Sequence, residues 1–301
     1  MKKRPFGNTG IDVGEVGLGT WQLGSGWGDV PDETAMATMR AAVELGTTFF
    51  DTADVYGTGR SETLIGRFLK ETKAPIFVAT KFGRFSSPGW PENFSRKAVR
   101  SHTEASLRRL GVETLDLTQL HCLPPEVLAR AEIFESLREL KREGKIRAFG
   151  ASVESMDEAL VCMKQEGLAS LQIIFNIFRQ MPVYALFEEA KKKNVAILIR
   201  FPLASGILGG LMSTETRSPP GRRNGKEFGY HVPPGYTLAD KSLRWCLDFD
   251  AVTAAIPGAK NPAQTRINAR VSSLPRLPTP LHARLRKFYE RKLSIHVKGV
   301  Y

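Results

Sequence analysis

Cysteine is scarce: the 301 residues hold only Cys122, Cys162 and Cys246, widely spaced and with no C-x-x-C pair. This excludes a disulfide framework and a cysteine zinc site, no metal is expected, and a reducing cytoplasm fits best. Long apolar runs are missing too, and none approaches the roughly 18 residues of a membrane-spanning helix. The start, Met1-Lys2-Lys3-Arg4, is basic, but Pro5 to Gly10 supplies no apolar core for a signal peptide, so export is not expected. The phosphate loops G-x-G-x-x-G and G-K-[ST] are absent, as are H-E-x-x-H and G-x-S-x-G. A Rossmann dinucleotide site, a P-loop, a zinc protease and a hydrolase elbow are thereby removed.

Positive charge is plentiful, 43 Lys+Arg against 31 Asp+Glu. Part of the excess sits between Leu281 and Tyr301, where six Lys/Arg face only Glu290. With no zinc-finger spacing or RNA-binding aromatic signature beside it, this stretch reads as a solvated face rather than a nucleic-acid surface. At 42% apolar residues the chain can bury a full core without disulfides or metals.

Short β-branched or aromatic runs recur at 15–20, 47–51, 76–81, 115–121, 146–152, 171–176, 196–200 and 251–257. Helical patterns lie between them: Met36, Met39 and Val43 share a face, as do Leu64 with Phe68 and Ile65 with Leu69. Val127, Ala131, Phe134 and Leu137 predict a further stripe. Ser155-x-x-Glu158 reads as a capping box. Gly46, Gly111, Gly144 and Gly167 each close a helix where a positive φ is wanted. Eight strands each followed by a helix predict one α/β domain over residues 1–301, a (β/α)8 TIM barrel. A hairpin over Arg4–Gly14, turning at Asn8-Thr9-Gly10, is expected to close its bottom, and the C-terminal segment supplies an extra helix and tail. The long Gly/Pro/Arg-rich segment 213–235 follows the seventh strand and is expected to act as a loop at the functional face.

Such barrels carry their chemistry at the C-terminal strand ends. In order these are Thr20, Asp51, Lys81, His121, Ser152, Asn176, Arg200 and Pro257. Asp51, Lys81 and His121 on adjacent strands are hard to explain as independent surface ion pairs. Tyr56 follows Asp51 by five residues, in a loop made pliable by Gly57 and Gly59. A neighbouring Lys81 cation is expected to lower the Tyr56 pKa, with Asp51 holding that lysine charged. With His121 polarising a carbonyl, this set suits reduction of a C=O bond by proton donation from Tyr56.

These residues resemble the aldo-keto reductases. The likeness runs through Gly17-Leu18-Gly19-Thr20-Trp21, Asp51-Thr52-Ala53-Asp54-Val55-Tyr56-Gly57, Ala79-Thr80-Lys81-Phe82-Gly83 and Asp116-Leu117-Thr118-Gln119-Leu120-His121. It continues in Gly150-Ala151-Ser152, Phe201-Pro202-Leu203-Ala204-Ser205-Gly206, Ile256-Pro257-Gly258-Ala259-Lys260 and the tail Ile295–Tyr301. The resemblance implies a cytoplasmic, monomeric oxidoreductase using NADPH, with NAD as the alternative cofactor and a small carbonyl compound as substrate. Asp51, Tyr56, Lys81 and His121 become the catalytic set. Thr20 and Trp21 fall in the cofactor region, Ser152 and Gln172 at the carboxamide, and Arg200 where an aromatic ring often stacks. Phe201, Leu203, Ala204 and Gly206 would wrap the pyrophosphate. Gly258, Lys260, Gln264 and Asn268 would hold the adenosine end, Lys260 taking the 2′-phosphate. Val153 and Phe175 depart from the common pattern, implying a lost carboxamide contact and a lost hydroxyl near the cofactor, and Ile267 replaces an acidic adenine contact of some branches. Trp21, Trp27 and Trp90 are candidate substrate walls, equally suited to anchoring loops. Cys122 reads as a packing residue on the far face of its strand. Three other readings stand beside the reductase: a sugar or alcohol dehydrogenase, a cofactor-binding regulatory protein with little turnover, and an aldolase-like barrel with Lys81 as Schiff-base nucleophile.

Overall fold

The computed structural model describes residues 1–24, 28–209 and 237–295. Trp27, the 213–235 loop and the tail beyond residue 295 lie outside them. A hairpin of β1 (Lys3–Pro5) and β2 (Asp12–Gly14) leads into eight parallel strands. These are β3 (Leu18–Gly19), β4 (Phe49–Asp51), β5 (Phe77–Phe82), β6 (Leu115–His121), β7 (Ile146–Ser152), β8 (Leu168–Ile174), β9 (Ala196–Arg200) and β10 (Val252–Ala255). Neighbours in the sheet are neighbours in sequence, and parallel bridges from Val16 to Ala255 and Gly19 to Gly258 join its two edges. The expected (β/α)8 barrel is therefore the observed fold.

Alternation along the strands divides the interior into layers. At the bottom Phe6, from the hairpin, packs 4.7 Å from Phe77 and 5.7 Å from Phe49, ring centre to ring centre. Three alanines, Ala148, Ala169 and Ala196, leave room for that plug. Gly7 must be glycine here, because its φ is +52° and a Cβ would meet Ala169 O at 2.6 Å. Moving up the same inward rows, the sequence turns polar and ends in Asp51, Lys81, His121, Ser152, Gln172 and Arg200 at the C-terminal rim.

Helix ends follow the expected chemistry. Gly46, Gly111, Gly144 and Gly167 all have φ between +67° and +85°. Ser155 caps its helix by accepting from Glu158 N–H, and the Glu158 carboxylate accepts from the Ser155 hydroxyl (3.0 Å) and from Glu154 N–H (2.7 Å) rather than from Ser155 N–H, one residue beyond a standard box. The Val127–Leu137 stripe is split. Helices Pro125–Leu128 and Ala131–Arg142 break between them, Ala131 is exposed, and the buried face of the second is Ile133, Phe134, Leu137 and Leu140. The sixth barrel strand starts at Leu168 and not Leu171, directly after Gly167. Asn176 lies past its end, bridged to Arg179. The basic C-terminal segment forms the helix Thr279–Phe288, which buries Leu285 and leaves its charges outward.

Candidate active site

Strands β4, β5 and β6 place three charged or ionisable side chains on adjacent inward positions. Lys81 Nζ donates to Asp51 Oδ1 (2.7 Å) and to Thr52 O (2.7 Å), and lies 3.4 Å from Tyr56 Oη. Asp51 and Lys81 are 4% and 1% exposed, so the pair is cut off from water. Tyr56 is brought over this pair by the turn after β4. Its ring meets His121 edge-on at 6.1 Å and stacks on Trp21 at the same separation. The four residues expected to act together are therefore in one cluster.

The electrostatics differ from expectation in one respect. Burial pushes the Tyr56 phenol above its ordinary value; Lys81 pulls the other way without prevailing, and Asp51 adds to the rise. The expected net lowering by Lys81 is not what this geometry produces, because desolvation outweighs a cation already engaged by Asp51. Burial also draws Lys81 down, but Asp51 and Tyr56 more than restore it and leave it raised and charged. A cationic, salt-bridged lysine is a poor Schiff-base nucleophile, which weighs against the aldolase-like reading. Burial, then Lys81, Arg84 and Arg200, hold His121 well below its usual value, so the imidazole is neutral. Its Nδ1 is buried without a partner among the described residues. A lone pair there is cheaper than an unpaired N–H, which assigns the proton to Nε2, the nitrogen free to face the mouth.

Around this cluster the other expected site residues fall as follows. Gln172 Nε2 donates to Asp51 Oδ2 (2.7 Å), and its Oε1 lies 3.4 Å from Ser152 Oγ. Thr20 is fully buried and its hydroxyl donates to Asp51 O (2.8 Å), so it holds the strand end rather than facing the mouth. Arg200 folds across β7, donating to Val153 O (3.2 Å) and Glu154 Oε1 (3.3 Å). Its charge is thus paired, while Nε is buried with no acceptor among the described residues. In the Phe201–Gly206 turn, Phe201, Ala204, Ser205 and Gly206 all have φ between +49° and +89°. Such strained left-handed backbone clusters at ligand turns. Ala204 and Gly206 N–H close the turn on Phe201 O and Leu203 O, whereas Leu203 and Ser205 N–H have no acceptor among the described residues. Beyond β10, Gly258 is bare because a Cβ would meet the Gln22 amide at 2.1 Å. Lys260 N–H donates to Gln264 Oε1 (2.8 Å) and Asn268 Nδ2 to Gly258 O (3.3 Å), so these residues shape the loop.

A nicotinamide cofactor fits this rim on the structure's own terms. The unpaired Arg200 Nε and Gln22 Oε1, together with the Leu203 and Ser205 N–H groups, offer donors and an acceptor that a phosphate- and amide-bearing molecule would satisfy. Gln22 was not legible as a site residue, since only the bare Gly258 beneath it marks its position.

Phe175 corrects one expectation. It is fully buried, 4.8 Å from Trp245 and 5.0–5.1 Å from Phe187 and Phe249, because it turns outward into the aromatic layer beneath the helices. Its lack of a hydroxyl therefore concerns packing and not the mouth. Cys122 sits just past β6 with φ +60°, half-buried, its Sγ 3.8 Å from Ser152 Oγ. Burial pushes its thiol up, which leaves it protonated and unreactive. Trp90 is 53% exposed against Phe94 in the loop after β5, and Ile267 is an exposed helix position. Among the described residues no group of His, Cys, Asp and Glu is arranged to hold a metal, and no helix is long and apolar enough to cross a membrane.

Behind the cluster, Asp54 is fully buried, and its carboxyl has only loosely aligned backbone N–H groups of Val55 and Gly83 near it. His102 Nδ1 lies 3.4 Å away and Glu62, paired with Arg109, is close by. Burial, then Glu62, raise the Asp54 carboxyl to about 7, against a pull from Arg109. The folded protein thus keeps a proton that the unfolded chain releases near pH 4, and stability falls as pH rises towards 7. Asp54→Asn should accordingly gain about 2–4 kcal/mol over the native protein at pH 8 and little at pH 4. Thermal unfolding at both pH values checks this; a gain independent of pH would show that Asp54 titrates alike in the folded and unfolded chains.

The aldo/keto reductase family model matches residues 15–290. The NADH-specific methylglyoxal reductase of Escherichia coli is 30% identical over 302 residues, spanning 89% of this chain and 92% of that protein. The holo structure of an aldo-keto reductase from Bacillus halodurans superposes with a TM-score of 0.82 at 28% identity, covering 95% and 96% of the two chains. An aldo-keto reductase from Klebsiella pneumoniae in complex with NADPH gives 0.76 at 24% identity, covering 96% of each chain, a likeness of fold. With the barrel, the rim residues and a family match over nine-tenths of its length in agreement, this chain belongs to the aldo/keto reductase family.

Proposed function

We propose that the protein is an NADPH-dependent reductase of an aldehyde or ketone, with Tyr56 as the proton donor. The observation carrying this reading is the buried Asp51–Lys81 pair set under Tyr56, beside a neutral His121. A bound nicotinamide cofactor supplies the hydride that converts the carbonyl carbon to an alcohol carbon. Ser152, Gln172, Arg200 and the Phe201–Gly206 turn hold that cofactor at the rim, with Gly258, Lys260, Gln264 and Asn268 at its far end. His121 Nε2–H donates to the carbonyl oxygen and fixes its orientation. Tyr56 Oη–H then gives its proton to the developing alkoxide, and the adjacent Lys81 cation stabilises the phenolate left behind. Asp51 keeps Lys81 charged and in place. The raised Tyr56 pKa keeps the phenol protonated at neutral pH, the form a proton donor needs. Three free cysteines suit a reducing cytoplasm, and the chain is taken to work as one monomeric domain on a small molecule.

Titration with NADPH and NADH, followed by tryptophan fluorescence, and then turnover with aldehydes and ketones, tests the reading. Binding of neither dinucleotide would sink it. Lys260→Ala should weaken NADPH binding about tenfold or more while changing NADH far less, as expected for one charge-assisted contact to the 2′-phosphate. Equal changes for the two dinucleotides would remove Lys260 from that role.

A further inference from the structure

The rim of the barrel carries a cation for which the mechanism has no use. Arg84 lies two residues past β5, and because Phe82 pairs with Leu120 it leaves the sheet beside His121 and Cys122. Its side chain is exposed, and among the described residues it makes neither a hydrogen bond nor an ion pair. The backbone beneath it is held firmly. Asn93 Nδ2 donates to Gly83 O (3.1 Å) and to Phe85 O, one on each side of Arg84. The Phe85 ring lies flat against His102, 6.0 Å away with planes 3° apart, and His102 Nε2 contacts Asn93 Oδ1. The clamp fixes the backbone from which the guanidinium projects, so binding a ligand there costs side-chain freedom and little backbone freedom.

Among the described residues the neighbouring cations are paired. Lys81 is matched by Asp51 and Arg200 by Glu154. The charged groups that act on His121 are Lys81, Arg84 and Arg200, all cations. Subtracting the two closed pairs leaves Arg84, at the rim beside His121, as the uncompensated cation among the described residues. We infer that Arg84 is an anion anchor for the substrate, which is an aldehyde or ketone carrying a carboxylate or phosphate. The bidentate geometry of guanidinium suits either oxyanion. Held there, the anion turns the carbonyl towards His121 and Tyr56 and disfavours neutral carbonyls of equal size. This inference rests on the reductase reading, which it narrows.

The test compares kcat/KM for paired probes that differ by an anionic group. One pair is 4-carboxybenzaldehyde and its methyl ester; the other is glyceraldehyde 3-phosphate and glyceraldehyde. The native enzyme should prefer the anionic member of at least one pair by about tenfold or more, with the preference shrinking at high salt. The pair with the larger ratio names the anion. Arg84→Gln should collapse that ratio and Arg84→Lys should keep part of it, with the loss in KM more than in kcat. Turnover of both members at equal kcat/KM would overturn the inference and leave the reductase reading intact. An anionic preference unchanged in Arg84→Gln would overturn the assignment to Arg84. No turnover of any probe with either dinucleotide would defeat the reductase reading and this inference with it.

Discussion

Replacing Tyr56 by Phe should lower kcat for carbonyl reduction about 10²- to 10⁴-fold, the usual contribution of a positioned general acid. The change removes one oxygen and keeps the ring. Stacking on Trp21 and edge contact with His121 persist, and Lys81 retains its bonds to Asp51 and Thr52. Stability and dinucleotide affinity should therefore move little, which separates lost chemistry from lost structure. The pH profile adds a second readout. Because the Tyr56 phenol is raised and His121 is lowered, both groups stay in their working forms through neutrality, and the native enzyme's reduction rate should be flat there. A Tyr56→Phe variant with native kcat would mean that the proton reaches the alkoxide by another route.

The distribution of what was legible follows from the range of the interactions involved. Strand ends and inward rows are local: alternation puts Asp51, Lys81 and His121 on one rim as soon as the strands are placed, and that much needed no coordinates. The partner of Asp51 beyond Lys81 is Gln172, 121 residues later, and no local pattern connects them. Arg200 likewise stands where a stacking ring is common, and its pairing with Glu154, 46 residues earlier, has no local signature. The sign of the Tyr56 shift depends on how much water its hydroxyl loses, a balance of burial against charge that sequence proximity does not contain. Phe175 was misplaced because the resemblance put a hydroxyl near the cofactor there, whereas alternation counted from the inward Gln172 turns position 175 outward, into the Trp245 and Phe249 layer. Arg84 was invisible for the opposite reason. An exposed arginine in a loop is ordinary, and only the clamp by Asn93 and His102 and the absence of a partner among the described residues set it apart.

The second large effect concerns the pair beneath Tyr56. Lys81→Met should destabilise the fold by about 3–5 kcal/mol, the usual result of removing one partner from a buried ion pair. What remains is an Asp51 carboxylate held by Gln172 alone and a Thr52 carbonyl without its donor. Adding Asp51→Asn removes the orphaned charge, and the double variant should recover much of the lost stability while remaining inactive, since no cation is left to stabilise the phenolate. Unfolding of the two singles and the double yields the coupling directly. If Lys81→Met were as stable as the native protein at neutral pH, the Asp51–Lys81 pair would not be the buried, water-excluded unit its geometry describes. If the double variant regained turnover, Lys81 would be a structural residue and the proton path through Tyr56 would have to be redrawn.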